Sequence, residues 1–190
     1  MRIYLSTQFV EINAKIELIS IALIAGEKTF YAESSEFNLA NANIWTKREV
    51  IPKLKFYARI EEFVEKNDDD IEVYGTLEEI VTQIVYFLSY YEEIEFWSIF
   101  SAYEFVALCQ LFGGLEHTPN NWPDFIDDLK NLERTLEEEG IFDLADLLPS
   151  ELKEDESQVH NALYDCKWNK AYHEYLLELR KKKIEENNID

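Results

Sequence analysis

The sequence contains few cysteines and no long apolar run. Only two cysteines, Cys109 and Cys166, occur among its 190 residues. Two cysteines cannot form a disulfide framework, and no CxxC spacing indicates a zinc site. No segment reaches the roughly 18–20 consecutive apolar residues of a spanning helix, and Met1–Phe9 lacks the layout of a signal peptide. We therefore expect a cytoplasmic protein that has no membrane partner.

Basic residues are also scarce. Lys and Arg number 18 against 39 Asp and Glu, so the formal net charge is −21. Phosphate contacts need Lys or Arg to release counterions, which excludes a broad, indiscriminate nucleic-acid surface but leaves room for a small nucleotide site. A hydrophobic content of 47% indicates a folded chain with a real core. The length predicts one domain over 1–190, with a charged tail, 181–190, that frays.

Four β-rich segments predict strands. Arg2–Phe9, Ile16–Ala25 and Thr29–Glu33 predict an antiparallel meander, and Glu95–Ile99 predicts a fourth strand. The acidic segment Glu61–Asp70 is interpreted as a solvated turn. These segments are the predicted strands of an α/β pattern.

Helices are predicted between and after these strands. Thr76 with Glu79 three residues later forms a capping box, so a helix should begin at Leu77 and end near Tyr91. In the helix over 123–139 we expect Phe125 to face inward. The order of elements predicts a mixed sheet flanked by helices. The other predicted helical segments are Asn38–Trp45, Ala102–Phe112, Pro123–Glu139 and Val159–Lys183. Glu49–Leu54, which contains Pro52, is either a short helical piece or an irregular connection.

Five sequence blocks carry a family resemblance. The longest reads AYEFVALCQLFG and is similar to the family pattern AYDHVALCQLFG. With its five blocks in the order in which the family has them, the chain resembles the ribonuclease-T-like DEDDh group of 3′–5′ exoribonucleases. The resemblance implies an α/β, ribonuclease-H-like mixed sheet, an antiparallel meander plus parallel strands, flanked by helices. The blocks are Ser6–Phe9, Ile16–Ile21, Trp45 with Val50–Leu54, Ala102–Gly113 and His160–Asp165.

The resemblance also implies a catalytic site. Such enzymes hold two Mg²⁺ or Mn²⁺ ions with an Asp-Glu-Asp-Asp set, and a histidine acts as general base toward the attacking water. The positions that match this pattern are Ser6, Gln8, Glu104, Asp165 and His160. Only Asp165 and His160 keep the residue of the family.

Three of the metal-binding positions depart from the pattern. Ser6 and Gln8 replace carboxylates and each remove a negative charge. Glu104 replaces an aspartate, and its carboxylate reaches about 1.5 Å further, one C–C bond, although a metal site tolerates errors of only about 0.5 Å. Two divalent ions would face Glu104 and Asp165 alone. We therefore expect one weakly bound Mg²⁺ or Mn²⁺ ion or none, and slow or absent hydrolysis.

Three further residues are candidates for nucleotide binding. The resemblance places Glu17 near the bound nucleotide, where it could contact a ribose hydroxyl; the alternative is a structural polar residue. Phe9 and Trp45 are candidates for stacking on a base, and a core role fits each of them equally well. His173, by contrast, is expected to pack against neighbours or to lie at the surface of its helix, and not to act in catalysis.

Competing functions follow from these residues. The first is a 3′–5′ exoribonuclease-like hydrolase, impaired at Ser6 and Gln8, acting on an RNA 3′ end. The alternative is a catalytically inactive relative that binds a nucleoside monophosphate or a protein partner. A third is an acidic surface that captures a basic protein. Relatives in this family self-associate, so a homodimer or higher homo-oligomer is also expected.

Overall fold

The computed structural model describes residues 1–13, 15–57, 59, 61–141, 148, 152–153 and 155–187. Within them the strands are β1 (Arg2–Ile12), β2 (Lys15–Ala25), β3 (Lys28–Ser34), β4 (Phe63–Lys66), β5 (Asp70–Gly75), β6 (Glu95–Ser98) and β7 (Asp127–Asp128). The α-helices are α1 (Ile44–Glu49), α2 (Leu77–Leu88), α3 (Ser101–Leu111), α4 (Leu129–Glu138) and α5 (Ala162–Asn187). Short 3₁₀ helices span Leu39–Asn41, Ile51–Lys53 and Leu115–His117.

The strands form one seven-stranded sheet in the order β4-β5-β3-β2-β1-β6-β7. The β1–β2, β2–β3 and β4–β5 pairs are antiparallel, whereas β3–β5, β1–β6 and β6–β7 are parallel. This arrangement confirms the predicted α/β class with a mixed sheet flanked by helices. Among the described residues no helix is both long enough and apolar enough to cross a membrane.

The turn between β2 and β3 has a clear local cause. Ala25 pairs with Lys28, so only Gly26 and Glu27 connect the two strands. Gly26 has a φ of 63°, a left-handed conformation that two-residue hairpin turns need and that glycine adopts without strain. A tight two-residue turn therefore joins the second and third strands of the predicted meander.

Alternate residues of β1 face opposite sides of the sheet. Ile3 and Leu5 are buried beneath α2 and α3, where they pack with Leu108. Tyr4 lies on the other side, where it packs with Cys166 of α5. Because side chains alternate along a strand, the next even positions of β1 face α5 and Thr7 faces α3. The candidate site residues Ser6 and Gln8 therefore lie on the α5 side of the sheet.

His173 packs on the α5 side, as predicted. It is buried, its Nδ1 lies 3.2 Å from the Tyr4 hydroxyl, and its ring centroid lies 4.0 Å from that of Trp97. Burial is the main cause that lowers the pKa of His173 to about 4. The imidazole is therefore a neutral core group at physiological pH.

Three secondary-structure predictions were wrong. The short helix predicted over Asn38–Trp45 is instead a 3₁₀ turn at Leu39–Asn41, and α1 begins only at Ile44 because the Asn43 side chain caps it there. Glu61–Asp70 is not one solvated turn, because it contains β4 and the start of β5; β4 is an edge strand, where exposed charged side chains are common. The helix predicted from Pro123 begins only at Leu129, because the two preceding residues pair with β6 as β7. Phe125 consequently lies outside the helix and is 64% exposed instead of facing inward.

The last helix lies further along the chain than predicted, since it begins at Ala162 and not at Val159. It continues past Lys183 to Asn187, so most of the segment 181–190 that was expected to fray is helical. Residues 188–190 lie outside the described part of the chain.

Candidate active site

A cleft of about 240 Å³ opens where the chain leaves β6, between β1 and the first turns of α3 and α5. The five positions predicted from the family pattern all line it: Ser6, Gln8, Glu104, His160 and Asp165. Residues that are up to 159 positions apart in sequence therefore meet at one place, as the resemblance implied. Lysine and arginine are absent from the described residues that line the cleft.

Glu104 contacts β1 through a residue that the family pattern did not single out. The Thr7 hydroxyl donates a hydrogen bond to Glu104 Oε2 over 2.6 Å. Burial raises the pKa of Glu104 to about 8, and the charge of Asp165 adds to the rise despite the opposing hydrogen bonds from Thr7. The carboxyl group of Glu104, carried further out by one methylene than that of an aspartate, therefore holds its proton more tightly than an ordinary glutamate does.

Asp165 is held by donors from two different elements. Gln8 Nε2 donates to Asp165 Oδ2 over 3.0 Å, and the backbone N–H of His160 donates to Asp165 Oδ1 over 3.1 Å. Thr7 likewise donates to Glu104, so both remaining carboxyl groups accept hydrogen bonds from the protein itself.

His160 is positioned by the segment that precedes α5. Its φ of 72° is left-handed, a conformation uncommon for residues other than glycine. The His160 ring packs against the Trp45 ring in a T-shaped arrangement, with ring centroids 4.8 Å apart. Asn161 caps α5 by accepting from two of its backbone N–H groups and donates to the Lys53 carbonyl over 2.8 Å. Lys53 in turn donates to the carbonyl of Val159, so the histidine is anchored from both sides.

The start of α3 is fixed by one carboxylate. Asp128 Oδ2 accepts from the backbone N–H of Ser101 over 2.7 Å and from its hydroxyl over 2.8 Å. The other oxygen of Asp128 accepts from the backbone N–H of Lys130 in α4. Phe100, which precedes α3 with a left-handed φ of 54°, projects at the cleft and is 70% exposed. This arrangement sets the position of Glu104 one turn later.

The three candidate nucleotide-binding residues make different contacts. Both carboxylate oxygens of Glu17 accept hydrogen bonds, from the Asn38 backbone over 2.7 Å and the Asn41 side chain over 2.6 Å, and Glu17 lies outside the cleft lining. Phe9 stacks on Tyr103 with centroids 6.0 Å apart. Trp45 is 46% exposed and contacts His160, although it is not itself among the residues that line the cleft.

Asn169 was missed by the sequence-based interpretation. It lines the cleft one helical turn after Asp165, and its Nδ2 donates to the Leu5 carbonyl over 3.2 Å and lies 3.4 Å from Ser98 Oγ. Its buried Oδ1 accepts no hydrogen bond from the described residues. The i, i+4 spacing from Asp165 is the signal that could have identified it, because residues four apart share a helix face.

The donor set differs from that of a site with four carboxylates. Ser6 and Gln8 present neutral groups to the cleft. In the described part of the chain, no group of three or more His, Cys, Asp or Glu side chains is placed to hold a metal ion. Hard divalent cations prefer several oxygen ligands that include carboxylates.

Comparison with known proteins shows which family the chain belongs to. The chain is 33% identical over 135 residues to a 3′–5′ exoribonuclease from each of two Mycobacterium tuberculosis strains, and the match covers 70% of this chain and 73% of each relative. The chain belongs to the 3′–5′ exoribonuclease family. Models of known protein families give no match. The match thereby confirms the coarser part of the prediction, a 3′–5′ exoribonuclease family.

Proposed function

We propose that this family member belongs to the ribonuclease-T-like DEDDh group, binds an RNA 3′ end or a nucleoside monophosphate at the cleft, and hydrolyses phosphodiesters slowly or not at all. The names of the two relatives support RNA as the substrate class. One observation carries the proposed impairment: Gln8 Nε2 donates to Asp165 Oδ2 over 3.0 Å.

This hydrogen bond opposes metal binding at Asp165. An amide N–H points its hydrogen at the carboxylate oxygen that would otherwise coordinate a cation. Turning the amide would place Gln8 Oε1 there, a neutral ligand without the charge of a glutamate. A metal ion would thus have to displace an existing contact and would gain little electrostatic stabilisation in return.

The charge of the cleft leads to the same conclusion. Asp165 and Glu104 are the carboxyl groups that would hold Mg²⁺ or Mn²⁺, and the raised pKa of Glu104 means that a cation must compete with a proton there. Bound ions would activate water and stabilise the leaving oxygen. These residues do not fit two divalent ions, so one ion binds weakly or none binds.

The other parts of a nucleotide site are retained. His160 lies in the position of the general base, and its ring is held against Trp45. Trp45 is exposed enough for its indole to stack on a terminal base. A cytoplasmic location and self-association into a homodimer or higher homo-oligomer belong to the same proposal.

A hydrolysis assay tests this function. With a short 5′-labelled RNA and Mn²⁺, we expect only slow release of nucleoside monophosphates, and His160→Ala should reduce that residual rate by about 100-fold or more because it removes the general base. His117→Ala is the matched control, because His117 is exposed outside the cleft lining. Rapid hydrolysis by the unaltered protein, or a measurable rate that His160→Ala leaves unchanged, would contradict the proposal.

The alternative is a relative without catalytic activity that binds a nucleotide or a protein partner. The Thr7–Glu104 and Gln8–Asp165 hydrogen bonds favour it, because the two carboxyl groups are stabilised without a metal. Complete absence of hydrolysis together with measurable AMP binding would support this alternative.

A further inference from the structure

We propose that single-stranded RNA leaves the cleft along a basic strip that starts at α1, so that nucleotides 5′ of the bound 3′ end are held outside the cleft. The inference rests on the proposed binding of an RNA 3′ end at the cleft. It adds where the rest of the RNA lies and why a longer RNA should bind more tightly. The basic strip consists of Lys47, Arg48, Lys53, Lys55 and Arg59.

Positive charge is concentrated in this part of an otherwise acidic chain. Residues 44–59 contain five of the 18 lysines and arginines but only one acidic residue, Glu49, although the formal net charge of the chain is −21. Proteins bind single-stranded nucleic acid with basic surfaces that follow the phosphates. The strip is narrow, so it agrees with the lack of a broad nucleic-acid surface.

The basic strip begins beside the cleft. Trp45 of α1 packs against His160, a residue that lines the cleft, with ring centroids 4.8 Å apart. Lys53 Nζ donates a hydrogen bond to the carbonyl of Val159, which also lines the cleft. The first cations outside the cleft are therefore within reach of an RNA whose 3′ end lies inside it.

The charges around the cleft favour an exit on this side. In the sheet, β4 and β5 lie on one side of β1 and β7 lies on the other. The strip extends toward β4 and β5, because Lys55 pairs with Glu72 of β5 and Arg59 lies 4.5 Å from the ring centroid of Phe63 in β4. Residues 111–128, which lead to β7, contain four acidic residues and no lysine or arginine. Phosphates would be repelled there.

Cations of the strip are accessible to phosphates. Lys47 and Arg48 are exposed, and 72% of the Arg48 side chain is accessible even though it pairs with Glu49. Lys55 likewise forms its ion pair with Glu72 at the surface. Exposed ion pairs of this kind are weak, so a phosphate can take the place of the carboxylate.

Exposed aromatic rings accompany these cations. Trp45 is 46% exposed and Tyr57 is 42% exposed, one near each end of the strip. Exposed rings stack on unpaired bases whatever their sequence. The rings favour single-stranded RNA over an acidic protein, which offers carboxylates but no bases.

Fluorescence anisotropy with 5′-labelled oligoadenylates tests the inference, in EDTA so that the RNA stays intact. We expect the unaltered protein to bind an octamer about tenfold or more tightly than a dinucleotide, because only the octamer extends over the strip. Lys47→Gln together with Arg48→Gln should weaken octamer binding about tenfold. The slope of log K against log salt concentration should fall by about 1.4, since each phosphate contact of a single strand contributes about 0.7.

Lys181→Gln together with Lys182→Gln is the matched control, since it makes the same charge change on exposed residues near the far end of α5. It should alter octamer affinity less than about twofold. Equal weakening by both double variants would overturn the inference, as would an octamer that binds no more tightly than the dinucleotide. The comparison of octamer with dinucleotide needs no variant, so it decides even if a variant fails to fold.

A competition experiment separates RNA from an acidic protein partner. Unlabelled octaadenylate should displace the labelled octamer at least tenfold more effectively than octaglutamate, which has a similar charge but no bases to stack. Equal displacement by octaglutamate would assign the strip to an acidic protein and contradict the RNA path.

The two proposals can fail separately. Rapid Mn²⁺-dependent RNA hydrolysis by the unaltered protein would contradict the proposed slow hydrolysis, whatever the anisotropy shows. Binding of AMP at the cleft without any gain from a longer RNA would overturn only the basic strip.

Discussion

Restoring both lost carboxylates, with Ser6→Asp and Gln8→Glu together, is expected to raise Mn²⁺-dependent RNA hydrolysis by about 100-fold or more. Removing even an outer partner of a metal ligand changes affinity or activity by about 10–100-fold, and here two direct ligands return. The change also replaces the N–H donor that now faces Asp165 with an acceptor. Single-turnover rates on a 5′-labelled RNA measure the effect.

Two control variants distinguish the effect of the restored negative charge from the effect of side-chain size. Ser6→Asn keeps the size of aspartate without its charge and leaves Gln8 unchanged, so it should stay as slow as the unaltered chain. Adding Asp165→Asn to the restored protein should abolish the gain. The explanation based on charge would be wrong if the unaltered chain already matched the restored protein, or if Ser6→Asn produced the same increase.

Replacing Glu33 with alanine is expected to lower the free energy of unfolding by about 3–5 kcal/mol. Glu33 is 2% exposed, and burial raises its pKa. Its carboxyl group accepts from the Tyr31 hydroxyl over 2.6 Å and from the backbone N–H groups of Lys55 and Phe56. Removal leaves three donors without an acceptor, which urea-induced unfolding would report.

Glu72→Ala is the control for this prediction. Glu72 pairs with Lys55 at the surface, where an ion pair contributes about 1 kcal/mol or less. Glu33→Gln should fall between the two alanine variants, because it keeps one acceptor oxygen. A loss for Glu33→Ala no greater than that for Glu72→Ala would show that the buried network contributes little. The network matters for the site because residues 55–56 directly follow the segment that contacts Asn161.

The strands of the meander could be predicted because β1–β3 are long and apolar and because a glycine turn joins β2 to β3. β4 could not, because its exposed Glu65 and Lys66 give it the composition of a loop. Its strand conformation depends on pairing with β5, a contact that local sequence does not contain. The late start of α4 has the same kind of cause, since β7 pairs with a strand almost thirty residues earlier.

The site was predictable wherever a family block defined it. Ser6, Gln8, Glu104, His160 and Asp165 come together as the family pattern implies. What sequence could not provide is how the substituted residues pair.

The contacts of Thr7 and Asn169 depend on tertiary structure. The bond from Thr7 to Glu104 depends on where α3 packs against β1, and the contact of Asn169 with the Leu5 carbonyl depends on where α5 crosses the sheet. These contacts form between elements far apart in the chain, so no local pattern reports them.

We propose that this cleft does not hold two divalent metal ions. Calorimetric titration of the unaltered protein with Mn²⁺ and Mg²⁺ tests it most directly, with the Ser6→Asp, Gln8→Glu protein as the reference. We expect at most one weak site in the unaltered chain and tighter binding in the restored one. Two tight sites in the unaltered chain would contradict the claim.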